Sequence, residues 1–282
     1  VSSCHTLLDS LQHICLMHGM EVDYYKKLFQ TIGNILDLIE KDDIPKYLLF
    51  LENAFPYMDN YNYHKGMNGI IQELTGLLKT KNIGTDSDRA LLLDFQATLE
   101  TKPEKAIKLE KDALAQIENI TADNARLVSN LHANLGGLYR MNGHPDLARE
   151  HMEKSISLLD QFNLLHINDS IPQIANYAMF LTEQQEPERG ISELQKLSGI
   201  IKEYHSDDCL DYAKVQETLG TIYLMTANLP QAKTHFKRAF KIYEKIWADE
   251  PEMIEAKYQE IQELYPQIGF CIGKNLSGLL TK

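Results

Sequence analysis

Apolar residues along this chain recur at the spacing of amphipathic helices, in pairs divided by short polar breaks. In NLHANLGGLYRM (130–141), Leu131, Leu135, Leu138 and Tyr139 fall on one helical face. Asn142-Gly143 ends that stretch. Pro145 then suits the first turn of a second helix, where its missing N–H has no partner to lose. In the second helix Leu147, Ala148, Met152, Ile156, Leu159 and Phe162 mark one face. The unit from 213 repeats the layout, with Leu219, Ile222 and Tyr223 in the first helix. Ala232, Phe236, Ala239, Phe240, Tyr243 and Trp247 line the second.

The two units are copies. NLGGLYRMNGHPDLA (134–148) and TLGTIYLMTANLPQA (218–232) share Leu, Gly, Tyr, Met and Ala at matching positions, 84 residues apart. Half that interval gives NYAMFLTEQQEPERG (176–190), and one further step back gives LLDFQATLETKPEKA (92–106). Each window closes on a small residue, Ala106, Ala148, Gly190 and Ala232. A proline recurs in phase at 103, 145 and 187, and one step late at 230. The chain thus carries a 42-residue repeat at least four times, each copy predicted as a helix pair. Gly136 and Gly220 are expected to face Ala148 and Ala232, so that paired helices approach closely.

The flanks predict degenerate helical pairs over 1–85. Stretches 5–18 and 22–40 are amphipathic, with Leu28, Ile32, Ile35, Leu36 and Ile39 in a stripe. Stretches 44–57 and 64–80 follow, the latter with Ile70, Ile71, Leu74, Leu77 and Leu78 on one face. Repeats are assigned to 86–265, and a capping helix or tail to 266–282. Terminal units of a stacked array are expected to diverge, because one face lacks a neighbour.

Composition narrows function mainly by exclusion. The 282 residues are 44% hydrophobic and 24% charged, with net charge −12 and no basic face that would suit nucleic acid. No apolar run approaches the roughly 18 residues a membrane span needs. The opening VSSCHTLLDS does not read as a signal peptide, and a start at Val1 reads as part of a longer protein. Cysteines at 4, 15, 209 and 271 are too scattered for a zinc or redox pair, and a cytoplasmic setting is expected.

Candidate chemistry is sparse. GFCIGKNLSG (269–278) has the wrong glycine spacing for a phosphate loop, and Asn275 stands where Ser or Thr should bind magnesium. His13 with His18 and His144 with His151 lack a third ligand at zinc spacing. KTHFKRAFK (233–241) places Phe236 and Phe240 on the core face and leaves its lysines to solvent. No catalytic, metal or cofactor site is expected, and the chain is not read as an enzyme.

The Leu-Gly, Tyr, then Ala-Phe-Ala spacing of Leu219, Gly220, Tyr223, Ala232, Phe236 and Ala239 resembles the tetratricopeptide repeat. Leu135, Gly136, Tyr139 and Ala148 follow it with Met152 and Ser155 substituted. The common repeat has about 34 residues. The longer unit resembles that of kinesin light chains, over roughly 85–265. The resemblance implies an all-α right-handed superhelical solenoid of about seven antiparallel helix pairs, binding a protein or extended peptide in its concave groove. The helical lead and loose repeats also look like the C-terminal sensor region of bacterial signal-transduction ATPases. An alternative is the peptide-binding domain of a transcription factor whose DNA-binding part lies elsewhere.

In such a groove the first helix of each pair is innermost, and there the sequence writes Asn134, Asn176 and Thr218 at 42-residue intervals, with Asn130 one turn earlier. The resemblance implies that an Asn at this position holds the backbone of an extended peptide, since a carboxamide both donates and accepts. Satisfying the helix array itself is the competing role. Arg140, Glu183, Gln216 and Glu217 are expected to add selectivity.

Overall fold

A computed structural model describes residues 64–81, 83–167 and 169–264, together with residues 48 and 51. The expectations for 5–18, 22–40 and 266–282, including GFCIGKNLSG, His13, His18 and three of the cysteines, lie outside the described residues.

Every regular element among the described residues is a helix. The chain divides into two compact units, Val1–Leu127 and Val128–Lys282. The first unit contains α1 (His64–Lys81), α2 (Asp86–Thr98) and α3 (Pro103–Leu114). α1 buries Met67, Ile71, Leu74 and Leu78, the four-and-three spacing its sequence predicts. A reciprocal capping box starts α2: the Thr85 hydroxyl accepts from Asp88 N–H at 3.1 Å, and Asp88 accepts from Thr85 N–H at 2.6 Å. α2 and α3 form a hairpin around Phe95, Ala106 and Ala113.

The second unit begins in the first turn of α4 (Ala125–Met141). It continues through α5 (Pro145–Gln161), α6 (Ser170–Glu183), α7 (Pro187–Tyr204), α8 (Leu210–Met225), α9 (Leu229–Ile246) and α10 (Pro251–Leu264). α6 packs antiparallel on α7 and α8 on α9, with α10 against α9. Proline occupies the first or second position of α3, α5, α7 and α9, as its phase predicts.

The tight turns inside three hairpins are also copies. Gly143, Gln185 and Ala227 hold φ of 75°, 65° and 57°, at one register. The next amide reaches back five residues in each: His144 N–H to Tyr139 C=O at 2.9 Å, Glu186 to Leu181 at 2.8 Å, Asn228 to Tyr223 at 2.7 Å. This left-handed closure satisfies carbonyls that a helix end would otherwise leave unpaired. Only the first copy uses glycine for it.

Small residues set the spacing of paired helices, though not quite as expected. A Cβ on Gly136 would stand 2.6 Å from Met152 Cγ and 3.3 Å from Ala148 C=O. A Cβ on Gly220 would meet the Phe236 ring at 2.9 Å, so the ring rather than Ala232 fills the space. In the middle copy the glycine changes helix: Ala178 stands where Gly136 and Gly220 stand, and Gly190 opposes it. Leu147 departs from the predicted core face. It lies in the first turn of α5 and is 40% exposed, whereas Leu158 is buried.

Candidate functional site

The first helices of three successive hairpins, α4, α6 and α8, present corresponding positions. Asn134 and Asn176 are exposed on α4 and α6, and Thr218 is half-buried on α8. Thr218 turns its hydroxyl to the carbonyl of Lys214 in its own helix, at 3.0 Å. One turn beyond Asn134, Gly137 opens onto empty space, and Met141 and Met225 end their helices exposed.

α4 and α6 are tied on either side of Asn134. Gln173 Nε2 donates to Asn130 Oδ1 at 2.6 Å, and Asn130 Nδ2 donates to Asp169 at 3.2 Å. Arg140 clasps Glu183 through one guanidinium edge, Nε donating to Oε2 at 2.8 Å and Nη2 to Oε1. A forked guanidinium–carboxylate contact fixes orientation as well as distance. The two ties hold the helices in register and leave the Asn134 and Asn176 side between them.

Asn130 also belongs to an internal polar cluster. Gln173 Oε1 accepts from the buried hydroxyls of Ser129 at 2.8 Å and Ser155 at 2.5 Å, joining α4, α5 and α6. A second buried glutamine, Gln216, stands one hairpin later with a different set of partners. Its Nε2 donates to Ser198 at 3.2 Å, and its Oε1 accepts from His235 Nδ1 at 2.9 Å and Arg238 at 3.2 Å. Glu217 accepts from Tyr243 OH at 2.5 Å and pairs with Lys257 of α10 at 3.0 Å. Burial, then the Glu217 carboxylate, pushes the Tyr243 phenol far above its ordinary range. Asn130, Gln216 and Glu217 therefore meet partners within the unit.

The cluster follows a step of 43 rather than 42: Asn130, Gln173, Gln216, with Ser155 and Ser198. That second period is the sequence signal for it. Burial, then the Glu153 carboxylate that accepts from its hydroxyl at 2.7 Å, likewise raises the Tyr177 phenol, and two imidazoles shift the other way. His132 and His151 approach Nδ1 to Nδ1 at 2.9 Å, and burial first, then the neighbouring His151 and Lys154, lowers His132 to about 4. Burial, then Arg238, lowers His235 to about 4. His151 and His235 stack on Tyr139 and Tyr223 at 5.4 Å and 5.3 Å, one contact repeated two hairpins apart. The pairing of His144 with His151 gives way to this one, because His144 meets the edge of Tyr139 instead, at 6.1 Å.

Among the described residues there is no group of three or more His, Cys, Asp or Glu that could hold a metal ion. No helix among them is long and apolar enough to cross a membrane.

Stacked helix hairpins with a small-residue seam define a helical-repeat protein. Residues 170–245, α6 to α9, match the tetratricopeptide repeat family model. No curated protein matches the chain. Its fold is similar to BtubC (BKLC) from P. vanneervenii, at 17% identity over 80% of this chain and 85% of that one, TM-score 0.52. It is also similar to a putative kinesin light chain from Podosopora anserina with nearly identical TPR-like repeats, in two structures at 13% and 14% identity, over 70% and 69% of this chain and 94% and 93% of that one, TM-scores 0.56 and 0.55. A Rap protein solved in complex with Competence and Sporulation Factor covers 96% of this chain and 77% of its own, at 15% identity and TM-score 0.53. These likenesses bear out the tetratricopeptide-like, all-α assignment and the resemblance to kinesin-light-chain repeats.

Proposed function

We propose that this chain is a protein-interaction module that takes an extended polypeptide segment in the groove lined by α4, α6 and α8, the first helices of their pairs, with Asn134 and Asn176 as its main-chain contacts. The observation that carries the reading is the placement of two exposed carboxamides at one register on adjacent first helices, between the Asn130–Gln173 and Arg140–Glu183 ties. Packed helices stand about 8–10 Å apart. An extended chain advances about 3.3 Å per residue. A carboxamide on each helix would therefore meet roughly every third residue. Gly137 leaves room beside Asn134 for a backbone to approach, and the exposed Met141 and Met225 offer adaptable apolar contact for side chains. The Rap complex supports use of this fold for capture of a factor.

The finer setting, the sensor of a longer signalling protein, rests on the sequence resemblance. It requires a ligand that binds one arrangement of the repeats better than another. The interaction reading is tested by selecting displayed random peptides on the chain, then photocrosslinking the winners from a benzoylphenylalanine at position 176 or 203. Glu203 is exposed on α7, the second helix of its hairpin. Crosslinks from position 176 and not from 203 are expected. Crosslinks from 203 alone, or equally from both, contradict the proposal.

A further inference from the structure

The outer flank of α9 carries a feature that the peptide-binding reading leaves unused. Lys233, Lys237 and Lys241 follow one another at intervals of four, so they form a row down one side of the helix, about 12 Å long. All three are exposed, and none has an ion-pair or hydrogen-bond partner among the described residues. The remaining basic residues of α9 are engaged: Arg238 with Gln216, and Lys245 with Asp208. Leu229, 49% exposed, stands one turn before Lys233 and heads the row.

Such a row is costly to keep. Like charges four apart on a helix repel, and a Glu at position 237 would turn both repulsions into attractions. The repeat architecture does not require it. The equivalent positions one hairpin earlier are Ile191, Gln195 and Gly199, and two hairpins earlier Arg149, Glu153 and Ser157. The chain as a whole has net charge −12, yet α9 holds five basic residues and one acidic, Glu244, just past the row.

We propose that this flank of α9 docks an acidic helix of a partner protein, one presenting carboxylates at i, i+4 and i+8 behind a leading apolar residue that meets Leu229. Charge complementarity selects the sign, and the row's length selects a short segment. An anionic membrane or nucleic acid would set a broad negative surface against a strongly acidic protein. At physiological salt a charge is felt over only about 8 Å, so a short acidic helix meets the lysine row and little else.

The test uses the full chain and a labelled helical peptide with Leu followed by Glu at three successive i+4 steps, read by fluorescence anisotropy. A scrambled peptide of the same composition and mixed phosphatidylcholine–phosphatidylserine vesicles are run beside it. The expected result is saturable binding of the ordered peptide, weakened about tenfold by the triple variant Lys233→Gln, Lys237→Gln, Lys241→Gln and by scrambling. Thermal stability of the triple variant should equal or exceed that of the parent, because the repulsion is gone. Binding of the ordered peptide that the triple variant leaves unchanged would overturn the proposal. So would vesicle binding that the triple variant abolishes without ordered-peptide binding. The pair Asn134→Ala, Asn176→Ala should leave acidic-peptide binding intact, which separates this flank from the α4–α6–α8 face.

Discussion

A Cβ on Gly190 would stand 2.7 Å from the carbonyl oxygen of Ala178 and 3.1 Å from its Cα. Backbone cannot rotate aside as a side chain can, so the α6–α7 contact admits no methyl group. Gly190→Ala is expected to cost about 1–3 kcal/mol. Gly199, also within α7, has nothing within 4 Å of its would-be Cβ, and there alanine should stabilise by about 0.5–1 kcal/mol through helix propensity. Urea unfolding of the two variants measures both. Similar effects from the two would show that α6 and α7 pack less closely than described.

The repeated left-handed turn gives a prediction of opposite sign. Ala227 holds φ 57° where the first copy has Gly143. The left-handed region costs a residue with a Cβ roughly 1–2 kcal/mol. Ala227→Gly should recover part of that, about 0.5–1 kcal/mol after the extra freedom of glycine in the unfolded chain is charged against it. No gain, or a loss, in chemical denaturation would contradict the geometry of the α8–α9 turn.

Acid should loosen the second unit. His132 and His235 are held near 4 in the folded protein, against about 6.5 when unfolded. A depressed imidazole favours the folded state while it is neutral. Its contribution is complete above pH 6.5 and is lost as pH falls from about 6.5 toward 4. Unfolding free energy measured across that window should fall steadily. His235→Asn keeps a donor toward Gln216 and should shrink the fall. A flat profile down to pH 4.5 would contradict the burial of both imidazoles.

Much of this molecule is legible in its amino-acid sequence. The helices and their pairing follow from the 3.6-residue spacing of Leu131, Leu135 and Tyr139, or of Ala232, Phe236 and Phe240, and from the phase of the prolines. Periodicity misplaces Leu147 because it says which side of a helix faces inward and not where along it packing stops. Which polar residues turn inward is the less legible part. Asn134 and Asn176 keep the 42-residue step, whereas Asn130, Gln173 and Gln216 keep a step of 43. One residue is about 100° around a helix. A ladder taken at one step therefore mixes outward carboxamides with Asn130, which turns into the cluster around Gln173. Arg140 with Glu183 and Glu217 with Lys257 show in the sequence only as charges, since their partners lie on other hairpins.

The central claim is that Asn134 and Asn176 hold a polypeptide backbone, and affinity tests it most directly. The tightest peptide from the displayed selection would be titrated against the parent and against Asn134→Ala, Asn176→Ala. Both substitutions sit on exposed helical surface and favour helix, so the fold should persist, as circular dichroism can verify. Two lost carboxamide contacts at about 1 kcal/mol each predict a Kd weaker by about tenfold or more. A folded double variant that binds within about twofold of the parent would contradict the account.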